Sequence, residues 1–540
     1  MRPYLTLHDP QAARAHHATG LWRDETFYDL LAGWAEARPD APALRDGSGT
    51  DSWRSLRARV DGMADDLRAE GLVAGDRLSV WMSNRAEAVV AFLACAREGI
   101  ACNPSLHRSY TCAEIAGLLQ HLGASALLTE PGWGADRATA DLDALLAGVE
   151  TLRRVYTPAD FPAPAAAAPA EWHRNPDSVA YLAFTSGTTG TPKCVMHSDN
   201  TLLANGRDLA AAWGWTPETV MLSLSPLSHH IAWVAVAQWL VAGCQLVTDD
   251  PPEGVSRLDW IVETGATFVM GVPTHAMDIL AEQRRRGLEG LGAVRVFYMA
   301  GAPIPQVVAE SFTRQGIAPL NVYGMTENSS HQFTHPADPR ETWVATCGRG
   351  GPAYEVRIVD AEDPDRFLPP GQTGQIAGRG AALMLGYLGN QPATDASFNR
   401  EGWFLSGDLG TLDAAGNLRI TGRLKDVVIR GGHNIHPARV EELALRHTGV
   451  EKCAAFGVPD DRLGEKLCLA VLGEAGGGEL LGHLADEGLS KYDMPEWFLN
   501  VEAFPLTPSG KILKRELQAM VARGALAPQP IRFEPGKETP

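Results

Sequence analysis

The sequence predicts an α/β protein with a large N-terminal domain of layered α/β sheets, a β-rich subdomain within it, and a small C-terminal α/β domain. Three observations predict this. The chain has 540 residues, more than one ordinary core accommodates, which implies about two to four domains. Amphipathic helical stretches alternate with short apolar strands over most of the length, the pattern of a layered sheet. Past Gly351 the alternation gives way to short strands with Gly-Pro turns, and after Arg423 it returns.

TFYDLLAGWAEARPDAPAL, from Thr26, reads as an amphipathic helix and a proline-punctuated turn into a strand. A second helix, Trp53 to Gly71, leads into the strand DRLSVWM, and a third, Arg85 to Glu98, precedes the strand in GASALLTE. Thr157 to Trp172 is rich in Ala and Pro and reads as a surface connection. The pattern then resumes at VAYLAF and continues through QLVTDD, TFVMGVPT and VRVFYMAGAP. YEVRIVD, GQIAGRG and NLRITGR form the β-rich part, placed at 345–423. The C-terminal domain, 424–540, holds a helix from Pro437 to His447, the strands CAAFGVP and KLCLAVL, and a last helix near Lys514 to Arg523.

Composition narrows the function classes. With 45% hydrophobic and 21% charged residues and a mean hydropathy of −0.12, the chain is neither disordered nor fibrous. A net charge of −18 leaves no basic excess to neutralise phosphates, which argues against nucleic acid or anionic membranes as partners. The eight cysteines, Cys95, Cys102, Cys112, Cys194, Cys244, Cys347, Cys453 and Cys468, show no zinc spacing and read as buried reduced thiols. The first residues form no apolar leader, and the apolar run Ile231 to Cys244 is interrupted by Gln238 and shorter than the ~18 residues of a membrane span. A soluble cytoplasmic protein with no integral membrane span is expected, with small-molecule partners and a homodimer among its open assembly states.

Chemistry concentrates first at Val179 to Lys193, where VAYLAF runs into TSGTTGTPK. Gly187 and Gly190 allow close backbone approach, Thr185, Ser186, Thr188 and Thr189 supply hydroxyls and amides, and Lys193 adds a cation, a combination suited to phosphate. It is not a Walker A loop, since Pro192 stands where that motif has glycine. No G-x-S-x-G elbow occurs, which disfavours a serine hydrolase.

TSGTTGTPK resembles the signature of the adenylate-forming superfamily, which includes acyl-CoA synthetases, firefly luciferase and peptide-synthetase adenylation domains. The superfamily's other motifs follow in order along nearly the whole chain. YGMTEN, Tyr323 to Asn328, is similar to the segment whose tyrosine stacks on adenine, whose threonine contacts the α-phosphate and whose glutamate helps hold magnesium. The resemblance thus implies those roles for Tyr323, with Gly324 beside it, for Thr326 and for Glu327. Gly301, Ala302 and Pro303 resemble the turn against which adenine lies. Asp408, in WFLSGDLG, and Arg423, in TGRLKD, match the two ribose contacts. Lys425 falls at the interdomain hinge, about which the family's C-terminal domain moves between half-reactions. Lys511, in PLTPSGKILKREL, matches the lysine essential for adenylation, where an ammonium between carboxylate and α-phosphate stabilises the transition state. Gly431 and Gly432, in IRGGHNIH, match a loop that lets the pantetheine arm pass.

His229 and His230, in SPLSHHIAW, occupy the region where relatives place an aromatic residue or histidine at the mouth between acyl and thiol tunnels. His229 aligns best and joins Lys511, Glu327 and Thr326 as a catalytic candidate. Metal ligation by the pair is disfavoured, because neighbours on a strand point to opposite faces and a third ligand is not evident. The resemblance implies two domains, 1–423 and 424–540. It also implies ATP, Mg2+ and coenzyme A as cofactors and co-substrate, and a reaction through an acyl adenylate with release of pyrophosphate and then AMP. A free-standing enzyme loading a carrier protein and an inactive nucleotide-binding regulator are the alternatives.

Acetate-specific relatives place tryptophan at the position of Gly324, so glycine there is expected to leave the acyl pocket open. His230, Trp233, Met270, Gly271, Val272, Pro273 and Met325 are expected to line it, an apolar set. SPLSHHIAWV also resembles cyclohexanecarboxylate-CoA ligases, which points to an alicyclic, aromatic or medium-chain acid.

Overall fold

Helices begin where short polar side chains cap them. Thr26 accepts from the Asp29 amide and Asp29 bonds back, opening Phe27–Ala37, while Ser52 opens Trp53–Ala69 and Thr111 opens Cys112–Leu122. The computed structural model describes residues 9–185, 192–506 and 512–533. Contacts divide the chain into two units that do not follow one cut. The first holds Met1–Val356, Gly378–Phe398 and Ala415–Leu418, and the second holds Arg357–Ala377, Asn399–Ala414 and Arg419–Pro540.

The first unit contains two large sheets. Among the described residues one has eight strands in the order Ser329–Phe333, Ala318–Met325, Val296–Ala300, Phe268–Gly271, Val220–Ser223, Gln245–Thr248, Pro42–Asp46, Gly49–Ser52, parallel except at both edges. The other has seven, ordered Gly386–Tyr387, Lys193–Ser198, Val179–Thr185, Ala101–Asn103, Arg77–Trp81, Ala126–Thr129, Arg154–Tyr156. The layered α/β architecture expected from the alternation is present.

Helices Ala86–Glu98, Asp199–Ala212 and His230–Ala242 are buried almost all round and share the largest core. Two of them approach closely at Gly206, where an added Cβ would stand 2.8 Å from the Ala237 carbonyl carbon. Trp53 and Trp239 stack at 5.2 Å, a contact worth about 0.5–1.5 kcal/mol beyond its buried area. All eight cysteines are buried and free. No helix among the described residues is long and apolar enough to cross a membrane.

The β-rich region forms a four-stranded sheet ordered Tyr354–Val359, Gly374–Gly380, Phe404–Leu412, Leu418–Arg423. In the second unit the long antiparallel pair Val450–Asp460 and Gly464–Gly473 is extended by the hairpin Val428–Arg430 and His433–Ile435 and by Trp497–Asn500. Helices Pro437–Ala444 and Gly477–Asp486 cover one face through Val440, Leu443, Leu480 and Leu484.

Candidate active site

In the first unit, strands Val296–Ala300 and Ala318–Met325 run parallel with Ala300 opposite Val322. Gly301, Ala302 and Pro303 therefore follow one strand at the carboxyl edge where the other runs on through Tyr323 to Met325 and turns at Thr326 and Glu327, the edge at which open parallel sheets bind ligands. Gly301 to Pro303 are exposed and Gly301 has φ 86°, a conformation that favours glycine. The Tyr323 ring lies edge-on to His331 at 5.3 Å.

The turn from Met325 to Ser329 carries the motif's polar groups and is clamped from several directions. Asn328 closes it, its side-chain oxygen accepting from the Met325 amide at 3.0 Å. His197 Nε2 lies 2.7 Å from the Thr326 carbonyl oxygen and must donate to it. Burial lowers the His197 pKa to about 4, so the ring is neutral and its Nδ1 accepts from Thr201 Oγ1 at 3.0 Å. His230 stacks on His197 at 5.2 Å and bonds through Nε2 to Ser329 Oγ at 3.0 Å and through Nδ1 to the Tyr181 hydroxyl at 3.2 Å. Burial first, then His197, holds His230 far below its ordinary pKa. Ser329 has φ 57°, the left-handed region that non-glycine residues enter seldom.

Glu327, on this turn, accepts a hydrogen bond from the Tyr387 hydroxyl at 2.9 Å. Lys193 Nζ stands 4.6 Å from the centre of the same ring. Thr185 and Lys193, the ends of the predicted phosphate loop, pair in register across adjacent strands. Between them Ser186, Gly187, Thr188, Thr189 and Gly190 lie outside the described residues, as does Lys511. The structure thus brings Lys193, Thr185, Thr326 and Glu327 onto neighbouring elements of one unit. Two residues that link them, His197 and Tyr387, had no motif in the sequence to mark them.

Two expectations change. An added Cβ at Gly324 would stand 1.6 Å from the Ser329 carbonyl oxygen, so the irregular pairing of the two strands requires glycine there whatever the pocket holds. Gly324 therefore says nothing about an open acyl pocket. The second change concerns the adjacent histidines, which are not on a strand. His229 is the N-cap and His230 the first residue of helix His230–Ala242, which ends at Gly243 with φ 64°. The run that follows them is buried on every side, so it carries no helical stripe to read.

The His229 ring lies 4.7 Å from that of His107, whose pKa burial lowers to about 4 and whose Nδ1 meets Ser228 Oγ at 2.9 Å. Trp233 belongs to the core, packed 4.5 Å from Phe92 with its N–H on the Leu227 carbonyl. Met270 and Gly271 end a buried strand, Pro273 is buried at the start of the next helix, and Val272 and Met325 are half-buried.

The second unit gathers its own candidates. Asp408 is buried and pairs with Arg423 at 3.1 Å. Lys425 lies nearby, its pKa lowered by burial first and then by Arg423. Gly431 and Gly432 form the two-residue turn between Arg430 and His433, with φ 59° and 85°, the left-handed pair that such a hairpin needs. Both are exposed, so turn geometry alone accounts for their identity.

Comparison with known proteins matches the AMP-binding enzyme family over residues 31–388 and its C-terminal domain over 439–511. The medium-chain fatty-acid–CoA ligase of Escherichia coli K12 is 30% identical over 97% of this chain and 95% of its own. A feruloyl-CoA synthase of Amycolatopsis is 32% identical over 90% of this chain and 96% of its own. Among solved structures, ATP-bound MatB of Rhodopseudomonas palustris is similar with a TM-score of 0.81 at 28% identity, covering 92% of this chain and 99% of that one. The o-succinylbenzoate CoA synthetase of Bacillus subtilis with its acyl-adenylate intermediate gives 0.78 at 26% identity, covering 92% and 98%. This chain belongs to the AMP-binding enzyme family and is an adenylate-forming acyl-CoA synthetase, an AMP-forming acid-thiol ligase.

Proposed function

We propose that the protein activates an alicyclic, aromatic or medium-chain carboxylic acid as its acyl adenylate on Mg-ATP and passes the acyl group to coenzyme A. The observation that carries this reading is the clamped turn that holds Thr326 and Glu327 beside the strand beginning at Lys193. A preorganised acid, hydroxyl and cation match what in-line attack on an α-phosphorus needs. Lys193 and Thr185 take the β- and γ-phosphates, Thr326 the α-phosphate, and Tyr323 with Gly301, Ala302 and Pro303 the adenine. Asp408 and Arg423 take the ribose hydroxyls, and Lys511 supports the attacking carboxylate. Lys425 serves as hinge, Gly431 and Gly432 as the pantetheine passage, and His229 as the gate to the acyl site.

Mg2+ fits these residues. Among the described residues no group of three or more His, Cys, Asp or Glu could hold a metal alone. Mg2+ characteristically takes one or two carboxylates and completes its shell with phosphate oxygens and water, and Glu327 supplies a hard oxygen donor. When bound it offsets phosphate charge as the pyrophosphate leaves.

The apolar character of Met270, Val272, Pro273 and Met325 supports an uncharged acyl chain or ring. The test is a panel of acids scored by pyrophosphate release, followed by mass spectrometry of products formed with coenzyme A and with a phosphopantetheinylated carrier. Coenzyme A thioesters of cyclic or medium-chain acids are expected. Preference for acetate or an amino acid, or acylation of the carrier alone, would overturn the reading.

A further inference from the structure

One buried side chain touches both the acid and the base of the site while belonging to neither motif. Tyr387 is 3% exposed and sits on the two-residue strand Gly386–Tyr387, paired antiparallel with Val195 and Met196 of the strand that Lys193 begins. Its hydroxyl donates to Glu327 Oε1 at 2.9 Å, since an ionised carboxylate only accepts. Its face supports the Lys193 ammonium at 4.6 Å, within the range of a cation–π contact.

The backbone around it is fixed on both sides. The Leu385 amide donates to the Met196 carbonyl at 2.8 Å and the Leu388 amide to the Cys194 carbonyl at 2.7 Å. The Met384 amide donates to the Glu327 carbonyl itself at 2.8 Å, and the Tyr387 amide to Thr394 Oγ1 at 3.0 Å. A phenol ionises ordinarily only at about pH 10, so the ring is a neutral donor at physiological pH. A neutral ring between acid and base keeps each oriented without cancelling the charge of the other.

We propose that Tyr387 is a positioning residue for Mg-ATP: its hydroxyl orients the Glu327 carboxylate toward the divalent cation, and its face holds Lys193 toward the polyphosphate. This rests on the reading of Glu327 as the magnesium ligand and of Lys193 as a phosphate ligand. The two functions separate chemically, because Tyr387→Phe removes the hydroxyl and keeps the face, whereas Tyr387→Leu removes both.

Calorimetric titration of the full-length protein with ATP, in EDTA and in Mg2+, reads both functions without turnover. In Tyr387→Phe the metal-free dissociation constant should stay within about twofold, while the affinity gained from Mg2+ falls about tenfold, the scale of one hydrogen bond to a charged group. The Mg2+ concentration for half-maximal ATP–pyrophosphate exchange should rise in step, with the KM for the acid unchanged. Tyr387→Leu should also weaken metal-free ATP binding about fivefold or more, the loss of the Lys193 seat. In a Glu327→Gln background Tyr387→Phe should change the Mg2+ response no further, because the hydroxyl acts through that carboxylate.

An unchanged Mg2+ response in Tyr387→Phe would overturn the positioning role. So would an equal loss in metal-free ATP binding and acid KM, the mark of a merely structural ring. Wild-type protein that neither binds ATP nor exchanges pyrophosphate with any acid of the panel would defeat the functional reading itself. That outcome differs from an active wild type with a wild-type-like Phe variant, which defeats the inference alone.

Discussion

Two charged clusters in the first unit show how differently one fold treats a cation. Arg97, 1% exposed on helix Ala86–Glu98, meets Asp61 at 3.3 Å, Asp65 at 2.5 Å and Glu98 at 3.3 Å, and Tyr28 donates to Asp61 at 2.5 Å. Its charge is answered within the protein. Lys193 is half-buried, and its neighbour is the face of Tyr387, which carries no formal charge. A guanidinium ringed by carboxylates secures the fold, whereas an ammonium held by a ring keeps its charge for something else. Among the described residues no carboxylate forms an ion pair with Lys193, and in a chain of net charge −18 that takes a specific arrangement.

The sharpest way to break this contrast is to remove each cation in turn. Arg97→Met leaves buried Asp61 with only the more distant Arg57, 3.7 Å away, and loss of one partner of a buried pair costs up to about 3–5 kcal/mol. The first transition in denaturant should move to markedly lower concentration, while the KM for ATP of protein still folded stays unchanged. Lys193→Met should do the opposite. A fall of about 10²–10³ in kcat/KM for ATP is the size expected for one preorganised charge donor. Its melting temperature should match wild type. If Lys193→Met instead unfolds the protein, both clusters are structural and the distinction between them fails.

The functional cluster was legible in the sequence only where its residues are contiguous. Thr185 and Lys193 pair across adjacent strands eight residues apart, and Tyr323, Thr326 and Glu327 fall within five residues at a strand's end and the turn after it, so a single motif announces each. Tyr387 reaches Glu327 across 60 residues, and His197 reaches the Thr326 carbonyl across 129. A bond to a main-chain carbonyl constrains the donor and leaves no trace in the acceptor's identity. Gly324 misled for a related reason: its small size answers the Ser329 carbonyl opposite it, a demand set by strand pairing and invisible in the string. The alternation of helices and strands was legible over most of the chain, because burial of one face imposes a period. It failed at His229 and His230, where the following helix buries every face.

Asp208 is an intermediate case, a carboxyl lacking both the ion cluster of Arg97 and a role in the site. Burial raises its pKa to about 6, and its Oδ2 accepts only partial relief from the Ala353 amide at 2.8 Å. In the unfolded chain it ionises near the ordinary value of about 3.9. The folded value is the higher one, so its contribution to stability is complete below about pH 4 and is lost as pH rises through about 6. The loss is of order 2–3 kcal/mol by linkage. Asp208→Asn keeps an oxygen for the Ala353 amide and removes the ionisation. Thermal melts should coincide near pH 4, and the variant should melt roughly a few degrees higher at pH 7. Parallel melting curves across that range would show that the carboxyl is already compensated.

The smallest effect separates polarity from charge. His331 is 2% exposed, neither ring nitrogen has a hydrogen-bond partner among the described residues, and burial lowers its pKa to about 3, so it is neutral. Its ring packs 4.3 Å from that of Tyr354 and edge-on to Tyr323 at 5.3 Å. An orphaned buried polar group costs about 1–3 kcal/mol, and phenylalanine offers the same packing without that cost but with added volume. His331→Phe should therefore raise stability by about 1 kcal/mol or less, with the ATP dissociation constant unchanged. A net loss of stability would mean that the imidazole nitrogens are answered by a polar contact the fold depends on. A weakened ATP affinity at unchanged stability would instead place His331 with Tyr387, as a side chain whose polarity serves the nucleotide through the tyrosine beside it.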